Sequence, residues 1–190
     1  MKQFLVGVGV IVAIAAIAFG WIISQRNGLI ALDEDANKAW SDVDTQLQRR
    51  NDLIPNLVST VKGYATHEEE VFTNIADARS KLAGAASPKE KAEADAALTA
   101  GLGRLLVIAE NYPELKANEN FIRLQDELAG TENRIAVARK RYNEIIKRYN
   151  MSIRQFPGSL FAGTLGMSSR EYFEPPQGHD AVVIAPKVQF

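Results

Sequence analysis

The stretch "FIRLQDELAGTENRIAVARKRYNEIIKRYNMSIRQF", Phe121–Phe156, decides the fold class. Phe121, Leu128, Ile135, Tyr142, Tyr149 and Phe156 recur at a strict seven-residue interval, with Leu124, Ala138, Ile145 and Ile146 alongside. Such a stripe places one apolar seam along one long helix of coiled-coil type. Pro157-Gly158 is the predicted stop. Upstream, "ELKANEN" (Glu114–Asn120) predicts a tight polar connection, with Asn118 as the cap and Glu119 in the first turn. Glu119 and Asn120 there, and Glu132, Asn133 and Arg134 mid-helix, are the candidate polar contacts to a partner or a second subunit.

A second seam runs from about Leu29 to Ala65: Trp40, Leu47, Ile54 and Val61 repeat every seven residues, partly matched by Val43, Leu57 and Tyr64. Arg50 interrupts it and is expected to snorkel outward. Pro55 lies within it, where proline removes one helical hydrogen bond at a cost of ~3 kcal/mol. The unbroken spacing across Pro55 predicts a continuous but kinked helix, with the Asn51 carbonyl left to water or a side chain.

Two shorter helices are predicted between these seams. Thr66 and Glu69 form one capping-box pattern and Ser87 and Glu90 another, with Pro88 at the first helical position. Residues 159–190 show no helical period, and "AVVIAPKVQF" (Ala181–Phe190) is expected to be a short strand or an extended arm. The predicted fold is all-α: an N-terminal transmembrane helix, then an elongated antiparallel four-helix bundle with long first and last helices, then an irregular C-terminal tail. The expected boundaries are 1–27 for the anchor, 28–158 for the bundle and 159–190 for the hinge and tail.

The anchor is read from "FLVGVGVIVAIAAIAFGWII" (Phe4–Ile23), 20 residues without a charge. As a helix it would span ~30 Å, the hydrocarbon thickness of a bilayer. Ala16-Ile17-Ala18 resembles a signal-cleavage tripeptide, but the apolar run continues through Phe19, Trp21, Ile22 and Ile23, beyond a usual signal core. Lys2 precedes the span and Arg26 and Lys38 follow it, so the flanking charge does not choose an orientation.

Little in the composition points to chemistry. The net charge is −1, so no basic field suggests nucleic acid, and there is no cysteine for a thiolate site or lipidation. His67 has three glutamates after it, but a zinc-protease motif needs a second histidine where Val71 stands. Di-iron bundles need glutamate three residues before each histidine, and those positions hold Tyr64 and Pro176. Gly101-Leu102-Gly103 lacks the strand and the Lys-Ser/Thr of a phosphate loop, and is expected to serve close helix approach. No catalytic group, cofactor or metal is therefore expected.

"AWSDVDTQLQRRNDLIPNLVSTVKGYATHEE" (Ala39–Glu69), "YPELKANENFIRLQDELAGTENRIAVARKRYNEIIKRYN" (Tyr112–Asn150), "FPGSLFAGTLGM" (Phe156–Met167) and the ending "YFEPP…APKVQF" together resemble the LemA family. The resemblance covers essentially the whole chain after the anchor. It implies a membrane-tethered helical bundle of bacteria with no established enzymatic activity, and one relative takes part in forming magnetosome membranes. Some relatives carry a lipid-modified cysteine near "GWIISQRNG"; this chain has none, so its anchor must be proteinaceous. Ser159, Leu165 and Met167 stand where the resemblance leads one to expect Asn and two Phe. The functional expectation is a non-enzymatic, single-pass protein of the bacterial inner membrane, with its bundle on the extracytoplasmic side. It would self-assemble or scaffold envelope partners, in contact with the lipid bilayer. The alternative is a lipid- or ligand-binding module using the apolar hinge and C-terminal arm.

Overall fold

A computed structural model describes residues 2–65 and 67–174. Among them the chain is helical and contains no strand. The elements are α1 (Lys2–Lys62), α2 (Glu69–Gly84), α3 (Pro88–Ala109), the single turn α4 (Pro113–Lys116), α5 (Glu119–Arg154) and the short α6 (Gly158–Ala162), which runs into a 3-10 turn, Gly163–Leu165. The capping residue Thr66 and the expected arm at residues 181–190 lie outside the described residues. Helix α2 starts at Glu69, with Glu68 at the N-cap position and no side-chain cap bond.

α1 has 61 residues without a break, so the expected anchor boundary at residue 27 falls inside a helix. Ser24–Lys38 contains no proline and one glycine, and nothing in it stops helix propagation. Its N-terminal part is long and apolar enough to cross a membrane, with a mean hydropathy of 2.6. The large apolar residues from Phe4 to Ile23 are exposed.

Two compact units emerge. The first groups residues up to 39 with 144–170. Its core is Leu29, Tyr149, Ile153 and Ala162, bordered by Leu32, Phe161, Leu165 and Met167. The sequence 159–167, expected to be irregular, instead forms α6 and its 3-10 turn, whose end is set by Gly166 in the left-handed region (φ 67°). A five-residue helix is too short to display a period, so the hydrophobic pattern does not reveal it. Phe156 requires a correction: it is 76% exposed and leaves the seam, because α5 ends at Arg154 and heptad register has no meaning beyond it.

The second unit groups residues 40–143 with those from 171 onward. Leu47, Ile54, Leu57 and Val61 of α1 are buried, as are Ile75 and Leu82 of α2, Leu98 and Leu105 of α3, and Phe121, Ile135 and Tyr142 of α5. Trp40 and Leu128 are half-buried. Trp40 stacks obliquely on Tyr142 (ring centroids 5.2 Å) and on Phe173 (6.2 Å). The start of α3 carries the predicted capping box: the Glu90 amide donates to Ser87 Oγ at 3.2 Å, and the Ser87 amide donates to Glu90 Oε2 at 3.2 Å. Amide donors from Ala86 and Ser87 to its carboxylate hold the Glu90 pKa below the ordinary value. Gly101 lets α3 approach α2, since a Cβ there would lie 3.0 Å from Ile75 Cγ1. Gly103 does not share that role, because a Cβ there would meet nothing.

Pro55 sits inside the continuous α1. The carbonyl it frees, four residues earlier at Asn51, accepts a hydrogen bond from Arg79 Nε of α2 at 3.1 Å. A side chain from a neighbouring helix thus replaces the missing backbone donor. Arg79→Ala is expected to cost about 1–2 kcal/mol by leaving this carbonyl unpaired. In a Pro55→Ala background the backbone amide regained at position 55 takes over the bond, and the cost of removing Arg79 should fall to a fraction of that value. A double-mutant cycle by urea unfolding measures that coupling.

Candidate functional site

The five polar positions singled out on α5 fall into two places. Glu119 and Asn120 are exposed at its start, where the Asn118 side-chain oxygen accepts from the Asn120 and Phe121 amides at 2.9 and 3.2 Å. Asn120 accepts from Arg123 at 2.9 Å. This is helix capping. Glu132, Asn133 and Arg134 begin twelve residues beyond Asn120, about 18 Å along the axis, so the two groups are not brought together. Asn133 and Arg134 are exposed, while Glu132 turns to a partner within the second unit.

That partner is Arg50, and here the sequence expectation is overturned. Arg50 does not snorkel outward; it is 4% exposed. Its Nη1 lies 2.8 Å from both Asp95 Oδ1 of α3 and Glu132 Oε2 of α5, and its Nη2 donates to Thr99 Oγ1 at 3.1 Å. Two carboxylates facing one guanidinium make the inward conformation favourable, since a buried cation needs paired acceptors. Burial pushes the Asp95 carboxyl above its ordinary value, more than the Arg50 charge pulls it down, and the Glu132 charge pushes the same way as burial. The clue in the sequence is a charge at a seam position of α1 and an aspartate inside the alanine-rich start of α3.

A second constellation holds the segment after α6. In the first unit the Asn150 side-chain amide pairs with both backbone groups of Arg170, accepting from its N–H and donating to its C=O, each at 2.9 Å. The Arg170 guanidinium donates to Asp33 Oδ1 at 2.8 Å and to Asn37 Oδ1 at 2.7 Å, and lies 5.3 Å from the Tyr149 ring centre. Burial raises the Tyr149 phenol pKa. In the second unit Asn143 repeats the paired amide bonds on Phe173, at 2.9 and 3.1 Å, and the Tyr142 hydroxyl donates to the Glu171 carbonyl at 2.9 Å. Sequence reasoning passes over both asparagines, because polar residues beside a seam ordinarily face solvent.

The third feature is apolar and exposed. Phe156 and Leu160 are 76% and 61% exposed, next to the cluster that seats α6 on Leu29 and Leu32. Leu29 follows Ile23 by six residues, so this corner of the first unit lies about 9 Å along the axis from the end of the apolar span. Among the described residues no group of three or more His, Asp or Glu side chains is arranged to hold a metal, and His67 is exposed.

These arrangements are structural: a buried ion cluster, two amide clamps and an apolar corner beside a membrane-length helix. The LemA family model matches residues 39–190. The chain is 26% identical to Magnetosome protein MamQ of Magnetospirillum gryphiswaldense, over 98% of this chain and 77% of that protein. It is also 26% identical to Magnetosome protein MamQ 2 of Paramagnetospirillum magneticum, over 94% of this chain and 76% of that one. Protein LemA of Metamycoplasma hominis is 24% identical, over 80% and 70%. With the match covering most of its length, the chain belongs to the LemA family.

Proposed function

We propose that this chain is a non-enzymatic, membrane-anchored helical protein that self-assembles or scaffolds partners at the bacterial cell envelope. The observation that carries the reading is α1, whose exposed apolar residues 4–23 continue without a break into buried heptad positions. The helices after the anchor would form an antiparallel four-helix bundle facing the extracytoplasmic side of the inner membrane. The magnetosome proteins among its relatives support a role in membrane organisation. Self-association predicts a cross-linkable oligomer when the full chain is studied in detergent at membrane-like concentration. A mass corresponding to one chain at every concentration would remove self-assembly and leave scaffolding of other partners. Protease accessibility in intact cells against spheroplasts tests the side on which the helices lie.

A second reading draws on the exposed Phe156 and Leu160 beside the end of the span. Apolar side chains at that level suit contact with the membrane interface. A chain starting at Ser24 and carrying Phe156→Asp and Leu160→Asp should lose at least tenfold in association with phospholipid vesicles relative to the same chain without them. Equal partitioning would remove lipid contact by this corner.

A further inference from the structure

The charges of the first unit are sorted by distance from the apolar span. Residues 24–32 and 145–169 contain Arg26, Lys147, Arg148 and Arg154 and no aspartate or glutamate. The acids of this unit are Asp33, Glu34, Asp35 and Glu144. Asp33, the nearest of those on α1, comes ten residues after Ile23, about 15 Å along the axis.

The packing shows which end of α5 meets the span. Leu29 packs with Ile153, whereas Asp33 and Asn37, farther from the span, hold Arg170, whose backbone is clamped by Asn150. Moving away from the span on α1 is therefore moving back along α5, and the last residues of α5 lie nearest the span. Arg154, one residue past Ile153, stands about 7.5 Å beyond Ile23 along the axis, and Arg26 about 4.5 Å beyond it. The headgroup layer on each side of a bilayer is about 5–7.5 Å deep. Both guanidinium groups thus fall within that layer or at its rim. Both arginines are exposed, and neither has an ion-pair partner among the described residues. Trp21, exposed and two residues before the end of the span, suits the same level.

We infer that this corner of the first unit binds anionic phospholipid headgroups through Arg26 and Arg154, with Phe156 and Leu160 entering the acyl boundary beside them. The inference rests on the reading that α1 spans a bilayer and that this corner meets its interface. It adds a choice of lipid. Apolar contact alone is indifferent to headgroup charge, whereas each cation at the surface favours an anionic lipid roughly fivefold. Arg154 reaches this level only through the fold, so a count of charges flanking the span in sequence passes over it.

Leu160→Cys, which supplies the only thiol in the chain, is labelled with bimane in the full-length protein reconstituted in phosphatidylcholine vesicles. Doxyl-labelled phosphatidylcholine or phosphatidylglycerol is then introduced as quencher at rising mole fraction. Phosphatidylglycerol should reach half-quenching at a mole fraction at least tenfold lower. Arg26→Gln with Arg154→Gln should bring the two lipids within about twofold of each other, and high salt should narrow the gap in the parent protein. Lys81→Gln with Arg104→Gln, which removes two exposed cations of the second unit, should leave the preference unchanged. Circular dichroism verifies that each variant folds. Equal quenching by the two lipids, a preference that survives loss of both arginines, or one lost equally in the second-unit variant would overturn the proposal and leave lipid contact by the corner standing. No quenching by either lipid would remove that contact and the proposal with it.

Discussion

Arg50→Ala is expected to destabilise the second unit by about 3–5 kcal/mol, the range for removing one partner of a buried ion pair. Two contributions add. The substitution strands Asp95, which is itself buried, without its counter-charge, and it empties the volume of a long side chain between α1, α3 and α5. Arg50→Met combined with Asp95→Asn and Glu132→Gln keeps the volume and removes all three charges, and should recover most of the loss. Trp40 fluorescence in a Trp21→Phe background reports the unfolding of this unit alone. The pH dependence has a defined sign. Asp95 carries a raised pKa when folded, so the folded state binds the proton more tightly than the unfolded state does. Its ionisation therefore costs stability: relative to Asp95→Asn, the protein should lose stability as the pH rises from 3.8 through the raised value, and regain it on acidification. An opposite slope would mean that attraction to Arg50 outweighs burial.

Gly158→Ala should be the most damaging change in the first unit. A Cβ at this position would overlap the Ser152 carbonyl oxygen and stand 3.4 Å from Leu29 Cδ2. Backbone cannot rotate out of the way as a side-chain end can, so α6 must shift off Tyr149 and Ile153. Overpacking of this kind costs ~1–3 kcal/mol at ordinary sites, and the top of that range is expected here because the obstacle is main chain. Faster hydrogen exchange at Ile153 and faster cleavage after Arg154 are the readouts. Gly163→Ala serves as the control, since its Cβ would meet nothing; it should be neutral or stabilising by up to about 1 kcal/mol through the unfolded chain.

The long helices are legible in the sequence because seven-residue spacing is a property of one chain segment. Leu47, Ile54, Val61, Phe121, Ile135, Tyr142 and Tyr149 show it, and each is buried. Capping is legible for the same reason: Ser87 with Glu90, and Asn118, act on amides within four residues. The Asn51 carbonyl is legible as an orphan but its donor is not, because Arg79 lies twenty-eight residues away and only the fold brings it near. Arg50 escapes on the same ground. A seam charge snorkels unless acceptors arrive from other helices, and nothing local to Arg50 announces Asp95 or Glu132. Phe156 differs: its spacing continues the seam, but α5 has already ended.

The amide clamps carry a consequence about information. Asn150 and Asn143 bind the N–H and C=O of residues 170 and 173, groups that nearly every amino acid possesses. What the clamps themselves impose is alignment rather than identity; identity enters through the side chains of Arg170, on Asp33 and Asn37, and of Phe173, on Trp40. Drift at Glu171 or Tyr172 should therefore be silent, whereas inserting a single residue between the two clamped positions would put Phe173 one step out of phase with Asn143.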